Sequence, residues 1–318
     1  KFMQEHDNWA DLLAAGPYNL KISYYEKLVM FKYNQLTADF SIPLVREARG
    51  IILERKSPYR VVCWPFEKFF NYGEEHAAQI DWSTASVQEK IDGSLMKCYF
   101  WDGEWRLATN GTINAYLAQI DGCTEFQTYG DLWDNIWPNW RYIMNMYGCP
   151  NLTYMFEMVS PYNKVVIPYQ NSEIYFLGWR HCKTGEELPP EFSMISQYRP
   201  MPNRYPLNSL EEVVAAANNL PWDREGYVVC DGKFNRVKIK SPAYVAAHYT
   251  VANGIITKKK LLKVILAHEE EEFLTYCPEY KEAIDEVKED MRELETECGI
   301  ALRKISELPG YWRNYPRK

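Results

Sequence analysis

The chain has 318 residues, enough for one large domain and a small one, and its 47% hydrophobic and 25% charged content suits a protein that buries a core. A formal net charge of −7 excludes a generally basic protein that coats nucleic acid, although a local basic groove stays open because steering depends on where charge sits. The eight cysteines (63, 98, 123, 149, 182, 230, 277 and 298) form no Cys-x-x-Cys pair and do not cluster with the five histidines, which excludes a structural zinc site and points to reduced thiols in an intracellular protein.

Along the chain, a helix is expected at 8–15, then a tyrosine-rich, strand-like stretch over 20–33. Residues 50–54 and 60–64 have strand patterns, and 86–100 reads as two strands joined through the turn dipeptide Asp92-Gly93. A short strand at 105–109 precedes an aromatic-rich helical region, 123–147. Further strands are expected at 152–159, 165–167 and 174–179, a helix at 210–218, and strands again at 225–230 and 236–239. Many strands without regular strand–helix alternation predict an α+β domain of mainly antiparallel sheets with flanking helices. The pattern changes near Pro242, beyond which it is helical. Ile284, Val287, Met291, Leu294, Cys298, Leu302 and Ile305 recur at helical spacing until Pro309-Gly310, as in a helix packing on its neighbours. The lysines at 258–260 and 263 and the glutamates at 269–272 are expected on a solvated face. The expected division is 1–243 and an all-helical 244–318. No apolar run reaches the roughly 18 residues of a membrane span.

The chemistry gathers on Glu89-Lys90-Ile91-Asp92-Gly93-Ser94-Leu95, a lysine just before a turn. Phe156-Glu157, Glu225-Gly226-Tyr227-Val228-Val229 and Val237-Lys238-Ile239-Lys240-Ser241 follow it in order. A lysine nucleophile needs its free amine, and desolvation or nearby cations supply it. Lys68, Lys238 and Lys240 are candidate cations, and they would also bind phosphate as its charge develops. Lys238 and Lys240 stand two apart on a strand and so share a face. Nucleotidyl transfer also calls for Mg²⁺, a hard cation that takes one or two protein carboxylates; Glu157 and Glu225, each within apolar strand text, are the candidates. Together these residues suggest a lysine that attacks a nucleotide phosphate and carries the nucleotide covalently.

Through residues 45–245 the pattern resembles the covalent nucleotidyltransferases, the superfamily of ATP-dependent polynucleotide ligases and mRNA capping enzymes. More narrowly it resembles the bacteriophage RNA ligase 1 family. Lys90-Ile91-Asp92-Gly93 looks like motif I, which implies AMP attachment at Lys90 with Gly93 beside the nucleotide. Arg49-Gly50 and Glu67-Lys68-Phe69-Phe70-Asn71 resemble upstream elements, implying that Arg49 and Lys68 contact the nucleotide and that Phe70 packs near the base. Glu157 falls in a motif III, implying a ribose or metal-water role. Phe176 stands where a motif IIIa ring would stack on adenine, and Glu89 where a carboxylate would accept from the adenine amino group. Glu225-Gly226 looks like motif IV, the metal carboxylate, and Lys238 and Lys240 like motif V.

One position departs from the resemblance. Phage RNA ligases carry a basic residue before a Gly-Ser, whereas this chain has Thr109-Asn110-Gly111-Thr112, and Asn110 supplies no charge. The helical tail favours the RNA ligase 1 branch over the capping enzymes, which place a five-stranded barrel after motif V. The resemblance therefore implies an ATP-dependent RNA ligase working through lysyl-AMP and RNA-adenylate with Mg²⁺ or Mn²⁺. The implied partners are RNA 5′-phosphate and 3′-hydroxyl ends, including a nicked tRNA, and a kinase-phosphatase that prepares those ends; the expected state is a monomer. A capping-type guanylyltransferase and a non-catalytic RNA-binding module on the same fold are the rival readings.

Overall fold

The computed structural model describes residues 2–35, 37–163, 165–249, 258–266, 270–276 and 278–307. The chain divides into two compact units, Lys1–His248 and Tyr249–Lys318. The first is α+β with three sheets. After two short helices, α1 (Phe2–Glu5) and α2 (Trp9–Ala14), an antiparallel sheet runs in the order β1 (Leu20–Tyr25), β2 (Leu28–Tyr33), β3 (Arg49–Glu54), β4 (Val61–Cys63). Between β2 and β3 lies α3 (Pro43–Glu47). The unbroken apolar run of β2 has a simple cause, because both of its faces are covered. Leu28 and Met30 pack with Ile52, Tyr99 and Trp101, whereas Val29 and Phe31 pack with Met3, Leu13 and Val45.

A second sheet has the order β12 (Arg204–Tyr205), β6 (Ser86–Glu89), β13 (Gly226–Cys230), β14 (Arg236–Lys240), β5 (Phe70–Asn71), antiparallel except for β14 against β5. Helix α6 (Leu210–Asn218) covers its outer face, where Val87, Val213, Tyr227, Val229, Val237 and Ile239 are buried together. The remaining sheet has the order β11 (Glu187–Leu188), β10 (Glu173–His181), β9 (Leu152–Val159), β7 (Ser94–Trp101), β8 (Glu104–Thr109). Its outer face carries α4 (Tyr129–Ile136) and α5 (Trp140–Tyr147) over a core that includes Trp133, Trp137, Trp140, Tyr154 and Phe156. The expected helical region 123–147 is thus two helices. A capping box between Thr128 and Asp131 starts α4, and Pro138, which has no N–H to donate, separates it from α5.

Two strand expectations are corrected. Segments β6 and β7 are strands but not a hairpin: β6 pairs with β12 and β13, β7 with β8 and β9, and Asp92-Gly93 turns the chain from one sheet to the other. Residues 165–167 form no strand, because the Val166 and Ile167 amides donate to the Asp92 carboxylate, at 3.0 and 2.8 Å, instead of to a ladder.

Helix α7 (Pro242–Tyr249) follows the change of pattern at Pro242, yet Tyr244 and Val245 are buried in the first unit. Among the described residues the second unit contains helices only, α8 (Lys258–Leu266), α9 (Glu270–Tyr276) and α10 (Lys281–Glu307) with a 3₁₀ turn before the last. Leu261, Val264, Ile265, Phe273, Ile284 and Val287 are its buried positions among the described residues, but Leu294 is 60% exposed, so the apolar stripe of α10 outruns its packing. The side chains of Cys298, Leu302 and Ile305, and those of Lys259, Lys260 and Glu272, lie outside the described residues, as do Glu269 and Pro309-Gly310. Lys258 pairs with Glu286 and Asp290, and Lys263 is exposed. No described helix is long and apolar enough to cross a membrane.

Candidate active site

A cleft of about 1000 Å³ is lined on one side by β6, β13 and β14 and on the other by Leu95 of β7, Glu157 of β9 and Leu177 of β10. Register fixes what the first wall presents. Lys90 follows β6 and donates its backbone N–H to Gly226 O (2.9 Å), and Gly226 pairs with Lys240. The next row is Gln88, Val228, Lys238, and the next Ser86, Cys230, Arg236. Alternation puts all of these on the face opposite the buried Val87, Val229, Val237 and Ile239. One column of the wall is therefore cationic and the middle one neutral, and the lysine stands at a corner.

At that corner Lys90 Nζ lies 2.8 Å from Glu225 Oε2, and Lys240 Nζ lies 3.8 Å from the other oxygen, Oε1. Glu225 is 5% exposed, so this carboxylate is held between two ammonium groups away from bulk water. Lys238 Nζ lies 5.9 Å over the Phe69 ring, which also stacks with Arg49 at 5.0 Å. Gly226 has φ +142°, and a Cβ there would come within 2.2 Å of Ile239 O, so only glycine lets the two strands meet beside Lys90.

The turn after Lys90 is tied down from three directions. Asp92 is buried, accepting from the Val166 and Ile167 amides and from Tyr244 Oη (2.9 Å), while its own N–H donates to Tyr169 Oη (3.3 Å). At Gly93 a Cβ would meet Met158 O at 2.5 Å and Val159 Cγ1 at 2.9 Å, so the turn presses against β9. Across the cleft Glu157 is pushed up to about 7 by burial; Lys90 and Arg49 draw it down, while Glu225 and Asp92 add to the rise.

Several expected contacts are not brought together. Lys68 Nζ sits 4.3 Å over Phe40, 5.0 Å over Phe70 and 5.3 Å over Tyr33, and neither Lys68 nor Phe70 lines the cleft. Backbone parity is the reason: on this segment it is Phe69 that faces the cleft, while Phe70 packs edge-on to Phe40 and His76. Phe176 pairs with Phe156 and is fully buried against it and Tyr154, whereas Tyr175 pairs with Glu157, so alternation gives the cleft to Leu177 instead. Glu89 lines the cleft, but its carboxylate is engaged by Asn203 (2.8 Å) and Arg224 (3.2 Å). Arg49, Lys90, Gly93 and Glu157 do line it, whereas Glu225, Lys238 and Lys240 are not among its lining residues, and Glu225 joins it through Lys90. The sequence reasoning missed Tyr169, Tyr244 and Arg236. Arg236 had a signal, since it begins the alternation that Lys238 and Lys240 continue; the two tyrosines had none, because their partner Asp92 is 77 and 152 positions away.

Among the described residues no cluster of three or more His, Cys, Asp or Glu is arranged to hold a metal. A Mg²⁺ or Mn²⁺ ion keeps several waters and takes one or two carboxylates, so Glu225 and Glu157 fit such an ion and would exclude one that demands a full protein cage.

The sequence profile described as RNA ligase matches residues 47–244. A candidate bifunctional polynucleotide kinase/RNA ligase of Autographa californica nuclear polyhedrosis virus is 30% identical over 84% of this chain, which covers 40% of that protein. The RNA ligase of Rhodothermus phage RM378 is 27% identical over 88% of this chain and 77% of its own length. In fold the chain is similar to an archaeal ATP-dependent RNA ligase, with a TM-score of 0.53 at 17% identity, covering 92% of this chain and 77% of that one. The profile match begins at the end of α3 and closes at Tyr244 on α7, so it takes in every side chain of the cleft and the clamp on Asp92; the chain belongs to the RNA ligase family.

Proposed function

We propose that this protein is an ATP-dependent RNA ligase in which Lys90 carries AMP. The carrying observation is the corner of the cleft, where Lys90, Glu225 and Lys240 meet within 3.8 Å beside a neutral floor. In this reading Lys90 Nζ attacks the α-phosphorus of ATP, forming a P–N bond as the bond to the bridging oxygen of pyrophosphate breaks. Lys238 and Lys240, on one face of β14, receive the charge that builds on the phosphate oxygens. Val228 and Leu177 offer apolar surfaces for the base from opposite walls, with Phe69 at the side. AMP then passes to an RNA 5′-phosphate, and a 3′-hydroxyl displaces it to seal the strand. A divalent ion on Glu225 and Glu157 would supply Lewis-acid charge at the phosphates. Nicked tRNA is the substrate favoured by the resemblance. The kinase/ligase name of the viral relative supports a link to an enzyme that phosphorylates RNA 5′ ends.

The test is covalent labelling with ATP carrying radiolabel at the α-phosphate, in the presence of Mg²⁺ or Mn²⁺. Wild type should retain acid-labile label and Lys90→Ala none. Preferential labelling by GTP would establish a guanylyltransferase instead, and RNA binding without any label would establish a non-catalytic module.

A further inference from the structure

Lys97, on β7, is fully buried, and among the described residues the one hydrogen bond of its ammonium is from Nζ to Gly50 O at 2.6 Å. Among the described residues no carboxylate pairs with it; its charged neighbours are Arg49 and Lys32, both cations. The thiol of Cys63 is no counter-ion either, because burial pushes it up to about 12. Burial lowers Lys97 itself to about 8, so the ammonium is kept at neutral pH although, among the described residues, the Gly50 carbonyl and not a carboxylate meets it. An arrangement that costs stability is most often kept by a site that uses it.

The surroundings show which part of the site that is. Lys97 pairs with Ala108 across β7 and β8, two residues before Asn110, which follows the end of β8. A Cβ on Gly50 would strike both Lys97 Nζ (2.5 Å) and Asn110 O (2.8 Å), which places the ammonium and the Asn110 backbone against one point. Residues 109–112 form a lip of the cleft, and Asn110 Oδ1 is buried there without a hydrogen-bond partner. A Cβ on Gly111 would lie 3.6 Å from Lys32 Nζ. Lys97 and Lys32, from two strands, thus stand behind a lip that carries no charge of its own, while Arg49 lines the cleft.

We infer that Lys97 is a positioning residue that holds Arg49-Gly50 through the Gly50 carbonyl and supplies, from beneath, positive charge to the uncharged lip at 109–112, so that this lip takes a phosphate. This rests on Lys90 being the nucleophile. The ligand is a phosphate, from ATP or from the RNA 5′ end.

The experiment exchanges the charge between the two positions, using the full chain with Lys97→Met, Asn110→Lys and the double variant. One arm measures labelling of Lys90 by α-labelled ATP over a range of ATP concentrations; the other measures sealing of pre-adenylated RNA, which bypasses ATP. Lys97→Met should melt no lower than wild type and should lose about ten- to hundredfold in at least one arm, the range for one charge-assisted hydrogen bond. The loss should appear in KM if the phosphate is that of ATP, and in the second arm if it is that of RNA. Asn110→Lys alone should weaken activity by crowding two ammonium groups, yet in the Lys97→Met background it should restore most of the loss. Wild-type rates for Lys97→Met in both arms would overturn the inference, and so would Asn110→Lys acting equally in both backgrounds. If wild type itself takes no label, the proposed function fails first, and the two failures are told apart.

Discussion

Burial leaves two charges in this site out of their ordinary ranges, with opposite consequences for stability. Glu157 is raised from 4.5 to about 7, so between those values the folded protein binds more protons than the unfolded chain, and stability falls as pH rises through that window. Glu157→Gln should flatten this fall and stabilise the unliganded protein at pH 8 by at most about 3 kcal/mol, read from thermal melts across pH. Lys97 is lowered from 10.5 to about 8, so its penalty is complete below pH 8 and is relieved as pH climbs toward 10.5. Lys97→Met should abolish that alkaline gain and raise stability at pH 7 by roughly 1–3 kcal/mol, as when a buried charge gives way to a packed side chain. Glu157 was legible in the sequence because a carboxylate in an apolar strand is conspicuous. Lys97 was not, because its burial depends on β3 folding over β7 from far along the chain. Phe70 and Phe176 show the opposite error: each has the expected residue type, but strand parity points Phe69 and Leu177 to the cleft instead.

At the scale of elements, the turn between β6 and β7 decides whether the lysine is held. Gly93→Ala drives a Cβ into Met158 O on β9, and Gly226→Ala drives one into Ile239 O on β14. Both contacts are with backbone that cannot swing aside, so each substitution should cost more than about 1 kcal/mol and cut Lys90 labelling at least tenfold. Tyr244→Phe is the subtler test. It removes the hydroxyl at 2.9 Å from Asp92 Oδ1 and leaves the packing, so about 1.5–3 kcal/mol of stability should go with it. Labelling should slow while the ATP dependence stays near wild type. The turn itself was legible from Asp92-Gly93, and so were the strands on either side. Their partners were not, because local text gives a strand its faces without naming its neighbours, and the nearest candidate for pairing proved to be the wrong one.

For the whole molecule, all cleft residues and the Asp92 clamp fall within Lys1–His248. A fragment of residues 1–248 should therefore fold and label with ATP near the wild-type rate, while sealing of nicked RNA loses rate; a fragment that folds but does not label would show that the helical unit takes part in nucleotide chemistry. The change of pattern at Pro242 marked the approach to that division but not its place, since α7 looks helical like the tail while its apolar side serves the first unit. The four residues between Glu89 and Ser94 are the shortest covalent link between the two walls of the cleft. The proposed nucleophile thus sits on the covalent link between the walls of its own pocket, so any movement of one wall against the other would carry the amine along. In the proposed reaction, closing on a nucleotide and aiming at it would then be one mechanical act, and a spectroscopic tag on either wall should change at the rate at which Lys90 takes its position.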